Sequence, residues 1–155
     1  FCVEISFGKP TKEDMERMRG SVSEESSEHL DLRGKHVMLV EDNEINAEIA
    51  IELLQSMGLI VDWAPNGEDG VRRYEQSELN TYYAIFMDMQ MPVMDGIEAA
   101  ARIRRSERAD RDVLILAMTA NTSERDRKKC RDAGMNGYIS KPISIKEIEK
   151  ALMFV

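Results

Sequence analysis

The chain has 155 residues, 43% hydrophobic and 32% charged, which suits one ordinary domain and is short for two. Its formal net charge of -8 argues against a nucleic-acid partner, because binding to phosphates requires a basic surface. No apolar run approaches the about 20 residues that cross a bilayer, no stretch reads as a signal peptide, and Cys2 and Cys130 form no disulfide framework. We therefore expect a cytoplasmic segment with reduced thiols and no membrane contact of its own, although its parent protein could be membrane-anchored.

The first 33 residues differ in character from the rest. Residues 1–7 alternate apolar and polar side chains, which predicts a half-buried strand. Residues 20–28, GSVSEESSE, are too polar to pack and predict a linker. Because one strand without partners cannot form a domain, we interpret residues 1–33 as a tail or linker. They are either an appendage of the main body or the end of an upstream domain, and residues 34–155 form the domain proper.

From residue 35 onward, short Val- and Leu-rich runs alternate with stretches that carry apolar side chains at helical spacing. The predicted strands are 36–41, 59–64, 83–87, 113–118 and 137–140, and the predicted helices are 45–57, 67–79, 96–105, 123–133 and 144–153. Gly58 and Gly134 predict helix ends, and Ser144 with Glu147 predicts a capping box.

This alternation predicts a parallel α/β sheet with helices on both faces. The uninterrupted apolar strands VMLV, AIFM and VLILAM are typical of strands buried on both sides. Right-handed crossovers then favour the doubly wound, three-layer αβα arrangement that is called flavodoxin-like, (βα)5, with strand order 2-1-3-4-5.

In such sheets ligands bind beyond the carboxyl ends of the strands, where this sequence has Glu41, Asp42, Asp88, Thr119 and Lys141. Three clustered carboxylates repel each other unless a cation joins them, and oxygen ligands with room for water favour Mg²⁺ over Ca²⁺ or zinc. The set suits phosphoryl transfer: a carboxylate attacks while a metal, a lysine and a hydroxyl stabilise the phosphoryl oxygens. Asp88 is the natural nucleophile because it ends the third, central strand.

The strings MLVEDNEIN, MDMQMPVMDG, AMTAN and GYISKPI resemble, in order and spacing, the motifs of response-regulator receiver domains. The resemblance covers about residues 35–155. It implies that Asp88 is the phosphoacceptor and that Glu41 and Asp42 are the acidic metal pair. The backbone carbonyl of Gln90 is then a further ligand to Mg²⁺.

The same resemblance assigns a switch to the other strand ends. Thr119 corresponds to the hydroxyl that moves towards the phosphoryl group, and Tyr138 to the aromatic ring that swings inward with it. Lys141 corresponds to the ion-pair partner of the phosphoryl group, and Pro142 follows it in a peptide bond that is usually cis in this family.

The implied activity is transfer of a phosphoryl group from a phosphohistidine, on a histidine kinase or histidine phosphotransfer domain, to Asp88. The domain catalyses only its own phosphorylation and dephosphorylation, and we expect Gln90 and Asn121 to set the acyl-phosphate lifetime by controlling the attacking water. The sequences of the motifs are most similar to those in receivers of hybrid histidine kinases. By this resemblance, residues 1–33 correspond to the end of the kinase ATP-binding domain and a linker. The fourth helix, fifth strand and fifth helix form the family's signalling face, through which a homodimer could assemble.

Two alternatives remain open from the sequence. A haloacid-dehalogenase-like phosphatase also uses an aspartyl nucleophile on a parallel sheet, but it requires a second aspartate where this chain has Gln90. A pseudo-receiver is an interaction module that never takes phosphate. Within the receiver interpretation, Glu41 and Asp42 could merely cap the first helix, a role that Asn43 could share, and Tyr138 could be an ordinary half-buried aromatic.

Overall fold

Five strands and five helices alternate along residues 30–154, the part of the chain that the computed structural model describes. The strand predicted at residues 1–7 and the linker predicted at 20–28 lie outside this part. Among the described residues, no helix has the length and apolar character of a membrane span. The strands are β1 (His36–Val40), β2 (Ile60–Ala64), β3 (Ala84–Asp88), β4 (Leu114–Thr119) and β5 (Gly137–Ser140), and the helices are α1 (Glu44–Ser56), α2 (Gly67–Gln76), α3 (Gly96–Arg105), α4 (Glu124–Asp132) and α5 (Ile145–Met153).

The strands form one parallel sheet in the order β2-β1-β3-β4-β5, which confirms the flavodoxin-like prediction. The central strand β3 is buried along its whole length, because its run AIFMD is flanked by β1 and β4 and covered on both faces. The register pairs Val40 with Met87 and Asp88 with Met118, so the carboxyl ends of β1, β3 and β4 lie at the same edge of the sheet.

Helices cover both faces of the sheet. On one face, side chains of α2, α3 and α4 join alternate residues of the central strands in one buried cluster. The strand residues between them, such as Leu39 and Phe86, point to the opposite face and are also fully buried. Helices α1 and α5 contact β1, β2 and β5 and bury Leu54 and Ile148 outside that cluster, so they cover this second face.

The predicted helix boundaries are largely confirmed. Gly58 and Gly134 follow α1 and α4 with φ of +89° and +85°, in the left-handed region that glycine adopts readily. Ser144 caps α5, its Oγ accepting a hydrogen bond of 3.3 Å from the Glu147 N–H. These local signals positioned the helix ends correctly because they act within a few residues.

Helix α2 is the exception, since it ends at Gln76 and not at the predicted Leu79. Ser77 turns to an extended conformation with φ -73° and ψ 157°. The Arg108 guanidinium, from the loop after α3, donates to the carbonyl groups of Ser77 at 2.8 Å and Glu78 at 3.2 Å. These tertiary hydrogen bonds therefore satisfy the carbonyl groups of residues 77 and 78 outside the helix.

Candidate functional site

Three carboxylates meet at the carboxyl edge of the sheet. Glu41 and Asp42 follow β1 directly, and Asp88 is the last residue of the neighbouring β3. One oxygen from each lies within 4.8 Å of the other two. Glu41 and Asp88 are only 2% and 5% exposed, whereas Asp42 is exposed to solvent. The cluster thus combines two buried acids with one that water can reach.

Helix α1 has its own cap, which leaves the acids available. Asn43 is the N-cap, and its side-chain oxygen accepts a hydrogen bond of 3.1 Å from the Asn46 N–H. Glu41 instead accepts the Asn43 N–H through Oε1 at 3.2 Å. The capping role is therefore confirmed for Asn43 and wrong for Glu41 and Asp42.

Lys141 connects the two buried acids. Its ammonium nitrogen lies 2.9 Å from Glu41 Oε2 and 3.2 Å from Asp88 Oδ1. The Lys141 backbone N–H donates to the Thr119 carbonyl at 2.8 Å, which holds the end of β5 against the end of β4. The peptide bond from Lys141 to Pro142 is cis, the form that the family resemblance implies. One ammonium group consequently forms ion pairs with two carboxylates.

The pKa of Asp88 indicates that the positive charge of Lys141 does not fully offset the burial of Asp88 and the charge of Glu41. Burial and then the nearby Glu41 carboxylate raise the pKa of Asp88 from 3.8 to about 6, although Lys141 and the Gln90 N–H act in the opposite direction. Burial by itself lowers the pKa of Lys141, but its hydrogen bond to Glu41 and the charge of Asp88 outweigh burial, so that the Lys141 pKa is raised. The donor set therefore has room for additional positive charge, and its oxygen atoms fit a hard divalent cation.

The start of α3 also shapes the site, through a residue that the sequence interpretation treated only as a helix start. A Cβ atom at Gly96 would collide with the backbone carbonyl oxygen of Asp88. The Gly96 N–H donates to the Met89 carbonyl at 3.3 Å, so the helix packs directly on the loop that follows the candidate nucleophile. The available signal was the glycine itself, because a residue without a Cβ atom permits a close approach of backbone.

The acids line an open cleft of about 630 Å³. The Gln90 backbone N–H donates to Asp88 Oδ1 at 3.3 Å. Gln90 and Asn121 are both exposed and line this cleft from the loops after β3 and β4.

The two candidate switch residues occupy different surroundings. Thr119 is buried at the end of β4 and lines the cleft, but its hydroxyl donates to the Asn121 carbonyl at 2.7 Å and accepts the Asn121 N–H at 3.1 Å. Tyr138 is half-buried and lines a separate cavity between α4 and α5, where the Arg127 guanidinium carbon lies 4.7 Å from its ring centroid. In this conformation neither side chain hydrogen-bonds to Asp88.

Cys130 is buried in the core and is a free thiol, with its Sγ 3.6 Å from the Met89 sulfur. Cys2, the other cysteine of the chain, lies outside the described residues.

Comparison with known proteins agrees with this geometry. Hybrid signal transduction histidine kinase L of Dictyostelium discoideum is 40% identical over 153 residues, an alignment that covers 97% of this chain and 8% of that protein. The chain therefore spans less than a tenth of the length of this relative.

Solved structures give the same result. The receiver domain of sensor histidine kinase PA1611 from Pseudomonas aeruginosa PAO1, with a magnesium ion in its active site cleft, is 38% identical, with a TM-score of 0.69 over 78% of this chain and 97% of that one. The Saccharomyces cerevisiae complex of the histidine phosphotransfer protein Ypd1 with the Ssk1 receiver domain matches with 33% identity and a TM-score of 0.67, over 77% and 86% of the two chains. The model of the response regulator receiver domain matches residues 37–153. The chain belongs to the response regulator receiver family, and its relatives include the receivers of hybrid histidine kinases.

Proposed function

We propose that this receiver accepts a phosphoryl group on Asp88 from a phosphohistidine and relays that event through its surface. The observation that carries the proposal is the buried Asp88 carboxylate, which shares one edge of the sheet with two further acids and an ammonium group. A carboxylate in that setting is a nucleophile beside groups that stabilise an incoming anion.

The same residues fit Mg²⁺. Glu41, Asp42 and Asp88 would hold it through carboxylate oxygens, and the backbone carbonyl of Gln90 would be a further ligand. Support comes from the oxygen-only donor set, from the raised pKa of Asp88, and from the magnesium ion in the cleft of the related PA1611 receiver. When bound, the ion neutralises charge on the phosphoryl oxygens.

In the transfer step, an Asp88 oxygen attacks phosphorus while the bond from phosphorus to the histidine nitrogen breaks. The imidazole leaves with the electron pair of that bond, and Asp88 becomes an acyl phosphate. Lys141, already 3.2 Å from Asp88 Oδ1, provides positive charge for the phosphoryl oxygens as they arrive. Water later cleaves the acyl phosphate and restores the carboxylate.

Phosphorylation would change the surface through Thr119 and Tyr138. The Thr119 hydroxyl has to give up its hydrogen bond to the Asn121 carbonyl before it can donate to a phosphoryl oxygen. If the active conformation is a minor state of about 0.1–10%, a few kcal/mol of differential stabilisation is enough to reverse the populations.

The phosphohistidine partner would dock beside the acids. Ile45 and Ile49 of α1 are 69% and 51% exposed, and lie one helical turn apart, so they form a small apolar patch on the solvent side of the helix. Ile49, Pro142 and Ile143 line an apolar groove of about 350 Å³ that also reaches Glu41 and Lys141. A histidine phosphotransfer or kinase domain would fit this groove with an apolar helix surface and bring its phosphohistidine to the acids. The complex of Ypd1 with a related receiver supports this proposal.

The parent protein would be a cytoplasmic or membrane-anchored hybrid histidine kinase. The alignment with kinase L covers 97% of this chain and so extends into residues 1–33. This supports their interpretation as the end of an upstream kinase domain with its linker. A homodimer through α4, β5 and α5 is a second proposal for the output face, favoured by the exposed Phe154 at the end of α5.

Transfer from a phosphorylated histidine phosphotransfer protein tests the main proposal. With Mg²⁺ present, labelled phosphoryl should move to the wild-type receiver but not to Asp88→Asn, and a chelator should stop the transfer. A pseudo-receiver would take no label under any condition. A phosphatase would instead release inorganic phosphate from simple phosphate monoesters with many turnovers, and we expect none.

A further inference from the structure

Trp63, the single tryptophan of the chain, is hydrogen-bonded to the backbone of the acidic pair. It lies in β2 and is half-buried. Its indole Nε1–H donates to the backbone carbonyl oxygen of Glu41 at 2.8 Å, a normal distance for a nitrogen donor. The side chain therefore reaches from the neighbouring strand to the loop that begins α1.

The position of this bond follows from the end of the strand pair. The Glu41 N–H donates to the Ala64 carbonyl at 3.1 Å, the last contact of that ladder. Strand β2 ends at Ala64. The indole of Trp63 supplies a donor beyond the point where the backbone ladder stops. As a result, both backbone polar groups of Glu41 are tied to β2.

The bonded carbonyl belongs to the peptide unit that joins Glu41 to Asp42. Because a peptide unit is planar, fixing its oxygen fixes the direction in which the Asp42 Cα leaves the strand. The Glu41 side chain is held separately, by the Asn43 N–H and by Lys141. Asp42 is exposed, and no hydrogen bond to its side chain is found among the described residues, so its position depends on the backbone.

We propose that Trp63 is a positioning residue for the acidic metal pair: its indole N–H holds the peptide unit between Glu41 and Asp42 in the orientation that binds the divalent ion. This inference rests on the proposed function, since it takes Glu41 and Asp42 as metal ligands. A tryptophan whose N–H is merely satisfied would stabilise the fold and leave metal affinity unchanged. Metal affinity measured apart from stability therefore separates the two roles.

The test compares Trp63→Phe with a matched control, Tyr82→Phe. The Tyr82 hydroxyl donates to Asp62 at 2.9 Å, and Asp62 precedes Trp63 in β2, so the control also removes one hydrogen bond that an aromatic side chain donates at this strand. Calorimetric titration with Mg²⁺ should show about tenfold weaker binding for Trp63→Phe, the lower end of the effect of groups that orient metal ligands. Tyr82→Phe should bind Mg²⁺ like the wild type. Phosphorylation of Trp63→Phe by acetyl phosphate should be slow at low Mg²⁺ and normal at saturating Mg²⁺.

A second measurement uses the wild type alone and does not depend on a variant that folds. In a two-dimensional ¹H–¹⁵N spectrum the single indole N–H signal should shift during a Mg²⁺ titration, with the same midpoint as the Asn43 and Gln90 amides. An indole signal that does not move, equal affinities of Trp63→Phe and wild type, or an equal loss in Tyr82→Phe would each overturn the positioning role. A wild type that binds no Mg²⁺, or an Asp42→Asn variant that binds it equally well, would overturn the proposed function itself, and this inference with it.

Discussion

The ammonium nitrogen of Lys141 lies 3.2 Å from Asp88 Oδ1, while the same nitrogen lies 2.9 Å from Glu41. These two acids come from different strands, and both are almost completely buried. Unit charges about 4 Å apart interact by about 4 kcal/mol at an effective dielectric constant of about 20. Asp42 adds a third carboxylate at the same edge, so a single shared lysine leaves the site with an excess of negative charge.

The first prediction concerns pH and stability. Because the pKa of Asp88 rises from 3.8 to about 6 in the folded state, the folded chain binds this proton more tightly than the unfolded chain does. The protonated group stabilises the fold fully below about pH 4, and that contribution is lost as pH rises through about 6. Its size is at most about 3 kcal/mol. In metal-free buffer, urea unfolding should show Asp88→Asn gaining stability over the wild type between pH 4 and pH 8.

The contrary result would be two stability curves that run parallel across that range. It would mean that Lys141 already compensates the Asp88 charge in full.

A second prediction concerns Mg²⁺. At pH 8 the ion should raise the melting temperature of the wild type, by an amount equivalent to about 2.7 kcal/mol at a concentration one hundred times its dissociation constant. The increase should shrink below about pH 6, because a proton on Asp88 competes with the metal. Asp42→Asn should lose most of the increase in a thermal-shift assay. Glu44→Gln, a change at another exposed acid nearby, should keep it.

Loss of the Mg²⁺ effect in both variants would indicate general screening of charge and not a defined site. Retention in both would exclude Asp42 as a ligand.

Much of this fold and site could be predicted because the signals were local. Continuous apolar strands, helix-stopping glycines and acids at strand ends act within a few residues, and the parallel sheet then brings Glu41 and Asp88 together. The end of α2 could not be predicted, since Arg108 approaches Ser77 from a distant loop. The hydrogen bond from Trp63 to Glu41 could not be predicted from the sequence either, because it depends on the strand register that pairs Leu39 with Trp63.

A third prediction follows from the Arg108 contact. Its guanidinium makes two bonds to Asp110, of 2.8 and 2.9 Å, and both side chains are largely buried. The hydrogen bond from Arg108 holds the pKa of Asp110 near 2. Lysine cannot reproduce this forked geometry, so Arg108→Lys should lower the free energy of unfolding by about 2 kcal/mol.

The matched control is Arg102→Lys, at an exposed ion pair with Glu98 on one face of α3. It should change stability by less than about 0.5 kcal/mol in the same urea titration. Equal effects of the two changes would show that the Arg108 contact has no special role.

A fourth prediction concerns the acyl-phosphate lifetime. Gln90 and Asn121 border the cleft around Asp88. Replacing both with alanine opens this rim, and water should then cleave the acyl phosphate several-fold faster. Decay would be followed by phosphate release after rapid removal of the donor. An unaltered decay rate in the double variant would rule out control of the attacking water by these side chains.

Mass spectrometry after incubation with acetyl phosphate and Mg²⁺ tests most directly whether Asp88 becomes phosphorylated. We predict one added phosphoryl group per chain, located at Asp88 by peptide mapping after borohydride reduction, and none in Asp88→Asn or without Mg²⁺. An unmodified chain, or a phosphoryl group on another residue with Asp88 free, would contradict the account.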